Sequence, residues 1–570
     1  MRIATIIAGI LLASLTSWAG LVEDYTSYPG EQQGTEVTVK VDGKSVFVHR
    51  HDPGPYSYVH FSFTGSAQIV VTGVSVTTVK PRAFAIPTTL NGNTLTFTID
   101  KPFNYVISRD NGGGNNILLA IFAEAPLTNV PGTSDAGVHT AKSYGIDSTG
   151  ATKETQKIND AITAISTAGG GALFFGRGIY TTGTIVMKNN VQLWLDAGAL
   201  IKGSTSIADY PTVNDQSWGN GTLVWWNNVR NAKIRGHGII DAQGSGNSWW
   251  SGRDMRHQLF FGAKNCAMEG VRIMNSTVWT IHPVNSDTLG FIGVRIMNKT
   301  PCCYVDQFDI DGCSYVTIDN CFTYGGDDGL CIKEVYRTQR PMTALTFRNT
   351  SVWSTSSNGL RAGANQSEGH WTICNNVLFD NVHFLHSGER SMRIQLCGAG
   401  TSDNWRFINC STEGNDGNAI EMGNVAWNGA CTTPPPPTSN FTWENLSIYG
   451  GSAINISIGT NNILKCIKVN GVVRTGAGYT PCSVVAAQTS APAITTNSAK
   501  LRCGRHTLYA AGPNARWVTL LNMRGEVVLR AAIRDAQAID ITDLRAGVYS
   551  ALIEDASGHV IKADAVLQSE

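Results

Sequence analysis

The 570-residue chain has little charge. Aspartate, glutamate, lysine and arginine make up 15% of it, against a usual share of about 25%, and 43 basic residues balance 43 acidic ones. Such a chain has no bulk attraction for nucleic acid or for an anionic membrane, so we expect neither as a partner. Long charged helical runs are also missing, which argues against an all-helical protein.

Long apolar runs are missing beyond the first nineteen residues. Within those residues, Arg2 precedes an apolar run from Ile3 to Leu15, and Ser17-Trp18-Ala19 forms a small-residue cleavage site. Residues 1–19 therefore predict a cleaved signal peptide. We expect a secreted protein, extracellular or at the cell surface, without membrane insertion.

Cysteine is absent from the first 265 residues, and all thirteen lie between Cys266 and Cys503. The number is odd, so at least one is unpaired unless it bonds another chain. We expect some to pair after export and others to be small buried core residues. No CxxC pair or histidine cluster indicates a metal site, and we expect no cofactor.

Glycine is abundant, at 60 residues, and the first domain shows short alternating strands. Turn pairs Asp42-Gly43 and Asn91-Gly92 separate apolar residues that alternate with polar ones. The pattern predicts a β-sandwich over residues 20–126. Its inward residues are expected to be Val37, Val39, Val41, Val46, Val48, Val59, Phe61, Phe63, Leu95, Phe97 and Ile99.

One helix follows, with Thr152 as its predicted cap and a stop at Gly169-Gly170-Gly171. We expect it to cover the open end of a strand stack. Its predicted buried face comprises Ile158, Ala161, Ile162 and Ile165.

Short apolar segments, each followed by asparagine, glycine or serine, then recur every 20 to 40 residues or so. They begin at residues 191, 232, 268, 291, 316, 345, 377, 405, 441 and 467. One strand per repeat without intervening helices predicts a parallel β-helix over residues 140–484. A small, polar linker over 485–500 and a small β-sandwich over 501–570 complete an all-β chain.

The densest acidic cluster lies at Asp306, Asp309 and Asp311 and, one repeat later, at Asp327-Asp328. Asp306 and Asp327 are 21 residues apart, about one coil of such a stack, and neighbouring coils lie about 4.8 Å apart. Flanking glycines would let the consecutive carboxylates share one cleft.

Carboxylates this close repel, so one stays protonated while another is ionised. Glycoside hydrolysis needs that pairing, with separations of about 6.5–9.5 Å when configuration inverts. Two other interpretations remain open: the aspartates form turns, or they bind calcium.

Residues 170–185, 195–204, 236–244 and 278–284 resemble segments of glycoside hydrolase family 28, the polygalacturonase family. The resemblance implies a right-handed parallel β-helix and inverting hydrolysis of an α-linked polysaccharide, most of all of the pectin or polygalacturonan type. It also implies that Asp327 is the general acid and that Asp306 and Asp328 position and deprotonate water.

The chain departs from that family at two motifs. Ser357-Asn358-Gly359 stands where the family has Gly-His-Gly, and Arg393-Ile394-Gln395 stands where it has Arg-Ile-Lys. Losing that lysine removes a contact worth about 1.5–3 kcal/mol with an acidic sugar, which predicts a less acidic substrate. The predicted substrate-binding residues are Asn358, Arg393, Gln395, Lys333, Arg361 and the aromatic Tyr304.

Three alternatives accompany this hypothesis. The N-terminal sandwich before a β-helix also resembles glycoside hydrolase family 49, the dextranase type, which acts on a neutral α-glucan. A pectate lyase would use Ca²⁺ and an arginine base, and a non-catalytic β-helix would bind glycans without cleaving them. The main hypothesis and these three alternatives predict different products.

The final residues resemble a type IX secretion sorting domain, by the segments 517–528 and 539–549. The last residues, 567–570, lack the basic ending often seen there. From the resemblance of these segments, we expect the type IX secretion machinery to be a partner. We also expect the protein to be a monomer.

Overall fold

The computed structural model describes most of the chain after residue 19. The described residues are 20–51, 56–109, 116–213, 221–244, 255–299, 304–334, 340–363, 373–396, 400–414, 417–423, 425–426, 429–430, 437–450 and 453–482, together with seven strands between 500 and 567. The predicted signal peptide and linker lie outside them, apart from residue 500.

The described residues between 20 and 124 form eleven strands. They are β1 (Gly20–Asp24), β2 (Thr38–Val41), β3 (Lys44–Ser45), β4 (His49–Arg50), β5 (Ser57–Thr64), β6 (Ala67–Thr72), β7 (Val79–Lys80), β8 (Thr88–Asn91), β9 (Thr94–Ile99), β10 (Phe103–Ser108) and β11 (Ile117–Glu124). One sheet has the order β1-β5-β11-β10-β7 with β4 beside β5, and the other has the order β3-β2-β6-β9-β8.

The two N-terminal sheets share one apolar core. Every inward residue expected from the alternating pattern, from Val37 to Ile99, is buried in it. Asp42 and Gly43 both have positive φ, at 49° and 76°, as a tight hairpin between β2 and β3 requires. The alternation of the sequence therefore identified the buried face of each strand that it marked.

The central part begins with one helix and a long series of strands. They are β12 (Val138–Thr140), β13 (Thr149–Lys153), α1 (Thr155–Thr167), β14 (Gly171–Phe175), β15 (Gly178–Thr182), β16 (Ile185–Val186), β17 (Val191–Leu195), β18 (Ala199–Gly203), β19 (Gly221–Asn227), β20 (Lys233–Gly236), β21 (Ile239–Asp241), β22 (Met255–Phe261), β23 (Lys264–Glu269), β24 (Arg272–Met274), β25 (Val278–Val284), β26 (Asp287–Ile292), β27 (Arg295–Met297), β28 (Phe308–Asp311), β29 (Ser314–Asp319), β30 (Phe322–Gly325) and β31 (Leu330–Lys333).

The series continues with β32 (Met342–Arg348), β33 (Ser351–Ser354), β34 (Leu360–Gly363), β35 (Ile373–Asp380), β36 (His383–Ser387), β37 (Met392–Gln395), β38 (Thr401–Ile408), β39 (Ser411–Glu413), β40 (Ile420–Gly423), β41 (Val425–Ala426), β42 (Gly429–Ala430), β43 (Thr438–Glu444), β44 (Ser447–Tyr449), β45 (Ile454–Ile456), β46 (Ile463–Lys465), β47 (Lys468–Val469), β48 (Val472–Val473) and β49 (Tyr479–Thr480). Short 3-10 helices cover Arg82–Phe84, Ala141–Tyr144 and Ile207–Asp209.

These strands stack into three long sheets around one apolar core. Sheet A runs β12-β14-β17-β20-β23-β26-β29-β32-β35-β38-β43-β46-β49, and sheet B runs β13-β15-β18-β21-β24-β27-β30-β33-β36-β39-β44-β47-β48. Sheet C runs β16-β19-β22-β25-β28-β31-β34-β37-β40-β45. The pairing is parallel except between β47 and β48. The predicted fold class, a right-handed parallel β-helix, is confirmed.

Each coil holds up to three strands, not the single strand that the sequence repeat predicted. Nine of the ten apolar segments overlap strands of sheet A, and the segment at residue 467 falls on β47 of sheet B. The other two sheets were missed for a physical reason. Their strands are mostly two to five residues long, and polar side chains on sheet C interrupt its apolar pattern.

The asparagines that follow these segments turn the chain out of sheet A. Asn349, Asn381, Asn409 and Asn445 all have positive φ, a conformation that asparagine tolerates better than most residues. Their amides also stack: Asn381 donates to Asn349 at 2.9 Å, and Asn445 donates to Asn409 at 2.8 Å. The recurring polar residue is therefore a turn former.

Helix α1 packs against β14, β16 and β17 at the start of the stack and buries the four predicted residues. The predicted cap was wrong. The cap position is Glu154, whose carboxylate accepts a hydrogen bond from Thr152 at 2.6 Å. Thr152 instead lies within strand β13 and supports the residue that caps the helix.

The N-terminal sheets contact sheet B through buried polar side chains. The Glu124 carboxylate lies 2.6 Å from the Arg295 guanidinium and 3.0 Å from the His237 ring. Farther along the stack, Lys80 donates to the Leu385 carbonyl at 2.9 Å. The Glu413 carboxylate accepts a hydrogen bond from the Arg82 amide at 2.7 Å. The contacts therefore extend from the coil that contains His237 to the coil that contains Glu413.

Residues 1–483 form one compact unit and residues 484–570 another. The second contains β50 (Lys500–Cys503), β51 (Thr507–Ala511), β52 (Ala515–Leu521), β53 (Val527–Ala532), β54 (Ala538–Asp540), β55 (Gly547–Asp555) and β56 (Val560–Leu567). They form antiparallel sheets of order β50-β51-β54 and β53-β52-β55-β56.

Cysteines serve both expected purposes in the described residues. A disulfide joins Cys466 and Cys482. Six others are buried thiols: Cys266, Cys313, Cys321, Cys331, Cys374 and Cys410. No helix in the described part of the chain has the length and apolar character that crossing a membrane requires.

Candidate active site

The acidic residues lie where the chain enters sheet C. Asp306 precedes β28, and Asp327 and Asp328 precede β31 of the next coil, where Phe308 pairs with Leu330. One oxygen from each of these three carboxylates lies within 4.8 Å of the other two. The spacing of one coil therefore brings the three predicted catalytic residues together, as expected.

The glycines beside the pair act through their small size. Gly325 and Gly329 do not have positive φ. A Cβ atom at Gly325 would lie 2.3 Å from the Gln307 amide nitrogen, and one at Gly329 would lie 2.3 Å from a Val352 methyl group. These glycines let adjacent coils approach closely, and the chain bends at Gly326, Asp327 and Gly329, so the two consecutive carboxylates share one cleft as expected.

Asp327 is the half-buried member of the three, and its carboxylate accepts two backbone bonds. The Tyr304 amide donates to one oxygen at 2.6 Å, and the Asp328 amide donates to the other at 2.9 Å. Burial, together with the negative charges of Asp306 and Asp328, raises the pKa of Asp327 to about 8. Asp327 therefore holds a proton at neutral pH.

Asp328 is ionised by its surroundings. One of its oxygens accepts from the Ser357 hydroxyl at 2.6 Å and from the Asn358 backbone and side-chain amides at 3.0 and 2.8 Å. The other lies 3.3 Å from the Arg361 guanidinium. Burial alone would raise the pKa of Asp328, but Arg361, Lys333 and these hydrogen bonds lower it below its ordinary value.

Asp306 shares a buried ammonium with Asp309. The Lys333 amine contacts the Asp306 carboxylate directly and lies 2.6 Å from Asp309 and 4.1 Å from the centre of the Trp279 ring. Burial raises the pKa of Asp306 to about 8 despite Lys333. Because Asp306 touches an ammonium and Asp327 does not, we place the shared proton of the cluster on Asp327.

The described residues offer three groups that could hold a cation. Two share Asp306, with Asp327 and Asp328 in one group and with Asp309 and Cys331 in the other, and the third is His60, Glu124 and His237, where the N-terminal sheets meet sheet B. Lys333 contacts Asp306 and Asp309, Arg361 contacts Asp328, and Arg295 contacts Glu124. Each group therefore already contains a carboxylate that is paired with a protein cation.

The family model described as glycosyl hydrolases family 28 matches residues 178–490, which is more than half of the chain. The chain belongs to glycosyl hydrolase family 28. The resemblance seen in the sequence is thereby confirmed for the β-helix.

Individual relatives of this family 28 member are distant. A probable polygalacturonase from Vitis vinifera is 26% identical over 207 residues, which is 32% of this chain and 42% of that protein. The chain thus matches about two fifths of that relative's length. The structure of a hyperthermoactive exopolygalacturonase from Thermotoga maritima has a TM-score of 0.51 and 21% identity, with 60% of this chain and 93% of that chain covered. At this identity, the similarity to the Thermotoga maritima structure shows a shared fold alone.

Two residues predicted to bind substrate are instead buried beside the carboxylates of the family 28 site. Lys333 is 1% exposed and lies between Asp306 and Asp309, so it presents no free charge to a sugar. Asn358 is fully buried and donates twice to Asp328. Both contact carboxylates of the candidate site, and neither side chain is exposed for the direct sugar contact that was expected.

The remaining predicted residues lie on the outer face of sheet C or at its entrance. Arg361 and Arg393 occupy paired positions on β34 and β37, and Gln395 pairs with Gly363 in the same strands. Tyr304 is half-buried at the turn that holds Asp327. Trp279 and Tyr324, which the sequence suggested as sugar platforms, are both buried. The other suggested platforms, Trp249 and Trp250, lie outside the described residues.

Sequence reasoning missed three residues of this site. Ser357 donates to Asp328, and Glu389 and Glu421 flank Arg393 at 3.1 and 3.4 Å. Ser357 follows Asp328 by 29 residues, one coil later, which is a usable signal. Glu421 could be found from coil register alone, since it pairs with Arg393 on the neighbouring strand.

Proposed function

We propose that the protein is a glycoside hydrolase that cleaves α-linked pectic polysaccharide of the polygalacturonan type with inversion of configuration. One observation carries this proposal: two consecutive carboxylates, Asp327 and Asp328, have pKa values shifted in opposite directions. Such a pair supplies an acid and a base at one pH. Membership in family 28 supports the reaction class, and the names of its relatives support the substrate class.

Each residue then has one step. Asp327 donates its proton to the glycosidic oxygen, and the bond from that oxygen to the anomeric carbon breaks. Asp328, with Asp306, accepts a proton from water, whose oxygen bonds to the anomeric carbon on the opposite face. Ser357, Asn358 and Arg361 keep Asp328 ionised for this purpose. Asp328 afterwards releases its proton to solvent, and solvent returns a proton to Asp327.

The inverting outcome rests on the family and not on distance. Nearest oxygens of the three carboxylates lie within 4.8 Å, which is shorter than the roughly 6.5–9.5 Å between the carboxyl groups of typical inverting enzymes. Stereochemistry therefore needs its own measurement. Proton NMR of the first-formed product distinguishes the two outcomes, since inversion yields a β reducing end from an α linkage.

Reducing-sugar release tests the catalytic assignment. We expect Asp327→Asn and Asp328→Asn each to lower kcat about 10²–10⁴-fold while the protein stays folded. Asp319→Asn is the matched control, because Asp319 lies on β29 of sheet A, between Asp306 and Asp327 in the chain, and pairs with Arg348 at 2.9 Å. Wild-type turnover by Asp327→Asn would contradict the assignment.

A substrate panel tests the glycan class. Polygalacturonate, esterified pectin, rhamnogalacturonan and dextran should be compared by reducing ends. Pectic chains should be the best substrates, whereas preference for dextran would favour the dextranase type. Unsaturated products that vanish with a chelator would indicate a lyase, and binding without any product would indicate a glycan-binding protein.

We further propose that residues 1–19 are removed on export and that residues 501–570 direct type IX secretion, with the N-terminal sandwich as an accessory domain. The signal-like composition and the sorting-like segments support this proposal. The mass and N-terminal sequence of protein recovered from medium test it. A mature chain beginning at Gly20 is expected, and a secreted chain that retains Met1 would overturn it.

A further inference from the structure

The outer face of sheet C continues beyond the catalytic carboxylates over two more coils. The core-facing residues Leu360, Ala362, Met392 and Ile394 alternate with side chains that point outward. Arg361, Arg393 and Glu421 occupy successive paired positions along β34, β37 and β40. A polysaccharide that reaches the carboxylates also passes over this row.

Every arginine of this row has a carboxylate partner. Arg393 lies 3.1 Å from Glu389 and 3.4 Å from Glu421, and Arg390 lies 3.0 Å from Glu389 and 2.9 Å from Glu421. The two arginines and two glutamates thus form a closed ring of four ion pairs. Arg361 is held 3.3 Å from Asp328.

The same compensation applies nearer the reaction centre. Lys333 is enclosed by Asp306 and Asp309. Lys333, Arg361, Arg390 and Arg393 are thus each paired with at least one carboxylate of the described site.

A uronate carboxylate would find poor partners here. The charges of Arg390 and Arg393 are balanced by Glu389 and Glu421 within the ring, so the ring offers a further anion little net attraction. An uncharged sugar does not depend on such attraction, because its hydroxyl groups can bind glutamate and arginine and its ester oxygens can bind arginine.

Gln395 adds an uncharged amide to this face. It is 1% exposed and lies between Gly363 and Gly423, its paired neighbours on β34 and β40. Its amide nitrogen and oxygen have no hydrogen-bond partner among the described residues. An amide can both donate and accept, as hydroxyl and ester groups need, and it carries no charge for a carboxylate.

We propose that the sugar unit bound over Arg393 and Gln395 is uncharged: a neutral sugar or a uronate whose carboxyl group is esterified. This inference rests on the proposed function, and it names the class of that unit in the chain being cleaved. On a pectic chain, the enzyme then cuts where esterified units lie across β34, β37 and β40.

Two galacturonans of equal length, one fully de-esterified and one highly methyl-esterified, test the inference. We expect kcat/KM to be at least tenfold higher on the esterified chain, with the difference mostly in KM. A neutral glycan as best substrate would also support an uncharged unit and would identify the source as a neutral sugar. Preference for the de-esterified chain would overturn the inference while leaving the proposed hydrolysis intact. Failure of all chains, with Asp327→Asn equal to wild type, would instead contradict the proposed function.

Removing a carboxylate partner of the arginines should weaken the preference for the esterified chain. In Glu421→Gln, Arg393 and Arg390 each lose one carboxylate partner, and kcat/KM on the de-esterified chain relative to the esterified chain should rise about tenfold. Glu389→Gln gives a second, more exposed variant with the same expectation. Glu444→Gln is the control, since Glu444 pairs with Lys465 at 2.6 Å on sheet A. An unchanged ratio in both site variants would overturn the inference.

Discussion

Replacing Lys333 by methionine keeps most of the side-chain volume and removes the ammonium that Asp306 and Asp309 share. The lysine side chain is 1% exposed, and the two carboxylates are 5% and 0% exposed, so water does not replace the lost charge. Removing one partner of a buried ion pair typically costs about 3–5 kcal/mol. We expect the Lys333→Met protein to lose that much free energy of unfolding at pH 8.

The pH dependence of that loss identifies its cause. Without Lys333, the pKa values of Asp306 and Asp309 rise further above those of the unfolded chain, so the folded state binds more protons. The loss is therefore largest above the folded pKa values, and it decreases to a smaller, constant value as pH falls below about 8, the folded pKa of Asp306, because both proteins then hold the proton. Calorimetry at pH 5 and pH 8 measures both quantities.

A matched control separates burial from pairing. Lys465 lies 2.6 Å from Glu444, the same distance as Lys333 from Asp309, but both side chains of that pair are about one third exposed. Lys465→Met should cost about 0–1 kcal/mol. The reasoning would be refuted if the two variants lost equal stability, or if the Lys333→Met deficit grew as pH fell. Adding Asp309→Asn to Lys333→Met should recover part of the loss.

Three further outcomes are expected. Plotted against pH, kcat/KM should fall on the alkaline side near pH 8, where Asp327 loses its proton. It should also fall on the acid side below about pH 4, where Asp328 gains a proton. A decrease of kcat/KM centred near pH 6 would contradict the assignment. The first-formed product should carry the β anomer, and an α anomer by NMR would mean retention. Gly363→Ala should lower the unfolding temperature strongly, since its φ is +93° and a Cβ would lie 1.7 Å from the Gln395 carbonyl oxygen, whereas Gly290→Ala, with its nearest contact at 3.6 Å, should not.

The sequence predicted the carboxylates because coil spacing converts into distance. Asp306 and Asp327 are separated by one coil, and register alone then places them side by side. The buried face of α1 followed from helical periodicity in the same way. Both predictions depend on local or one-coil separations.

Side-chain partners were harder to predict. Lys333 could reach either a sugar or Asp306, and only its burial decides between them. Asn358 likewise points back to Asp328. The contacts of Glu124 with His237 and Arg295 join positions more than one hundred residues apart, for which no sequence period exists. Sheet C was missed because its outward residues are the polar residues of the site itself.

The polar contacts between the N-terminal sheets and sheet B have a mechanical consequence. A bare stack of coils contacts only its neighbours, so its ends can fray one coil at a time. Here the N-terminal sheets contact the coils from His237 to Glu413. Coils within that span cannot separate without also breaking these contacts, so we expect them to unfold together. The three carboxylates lie within this span.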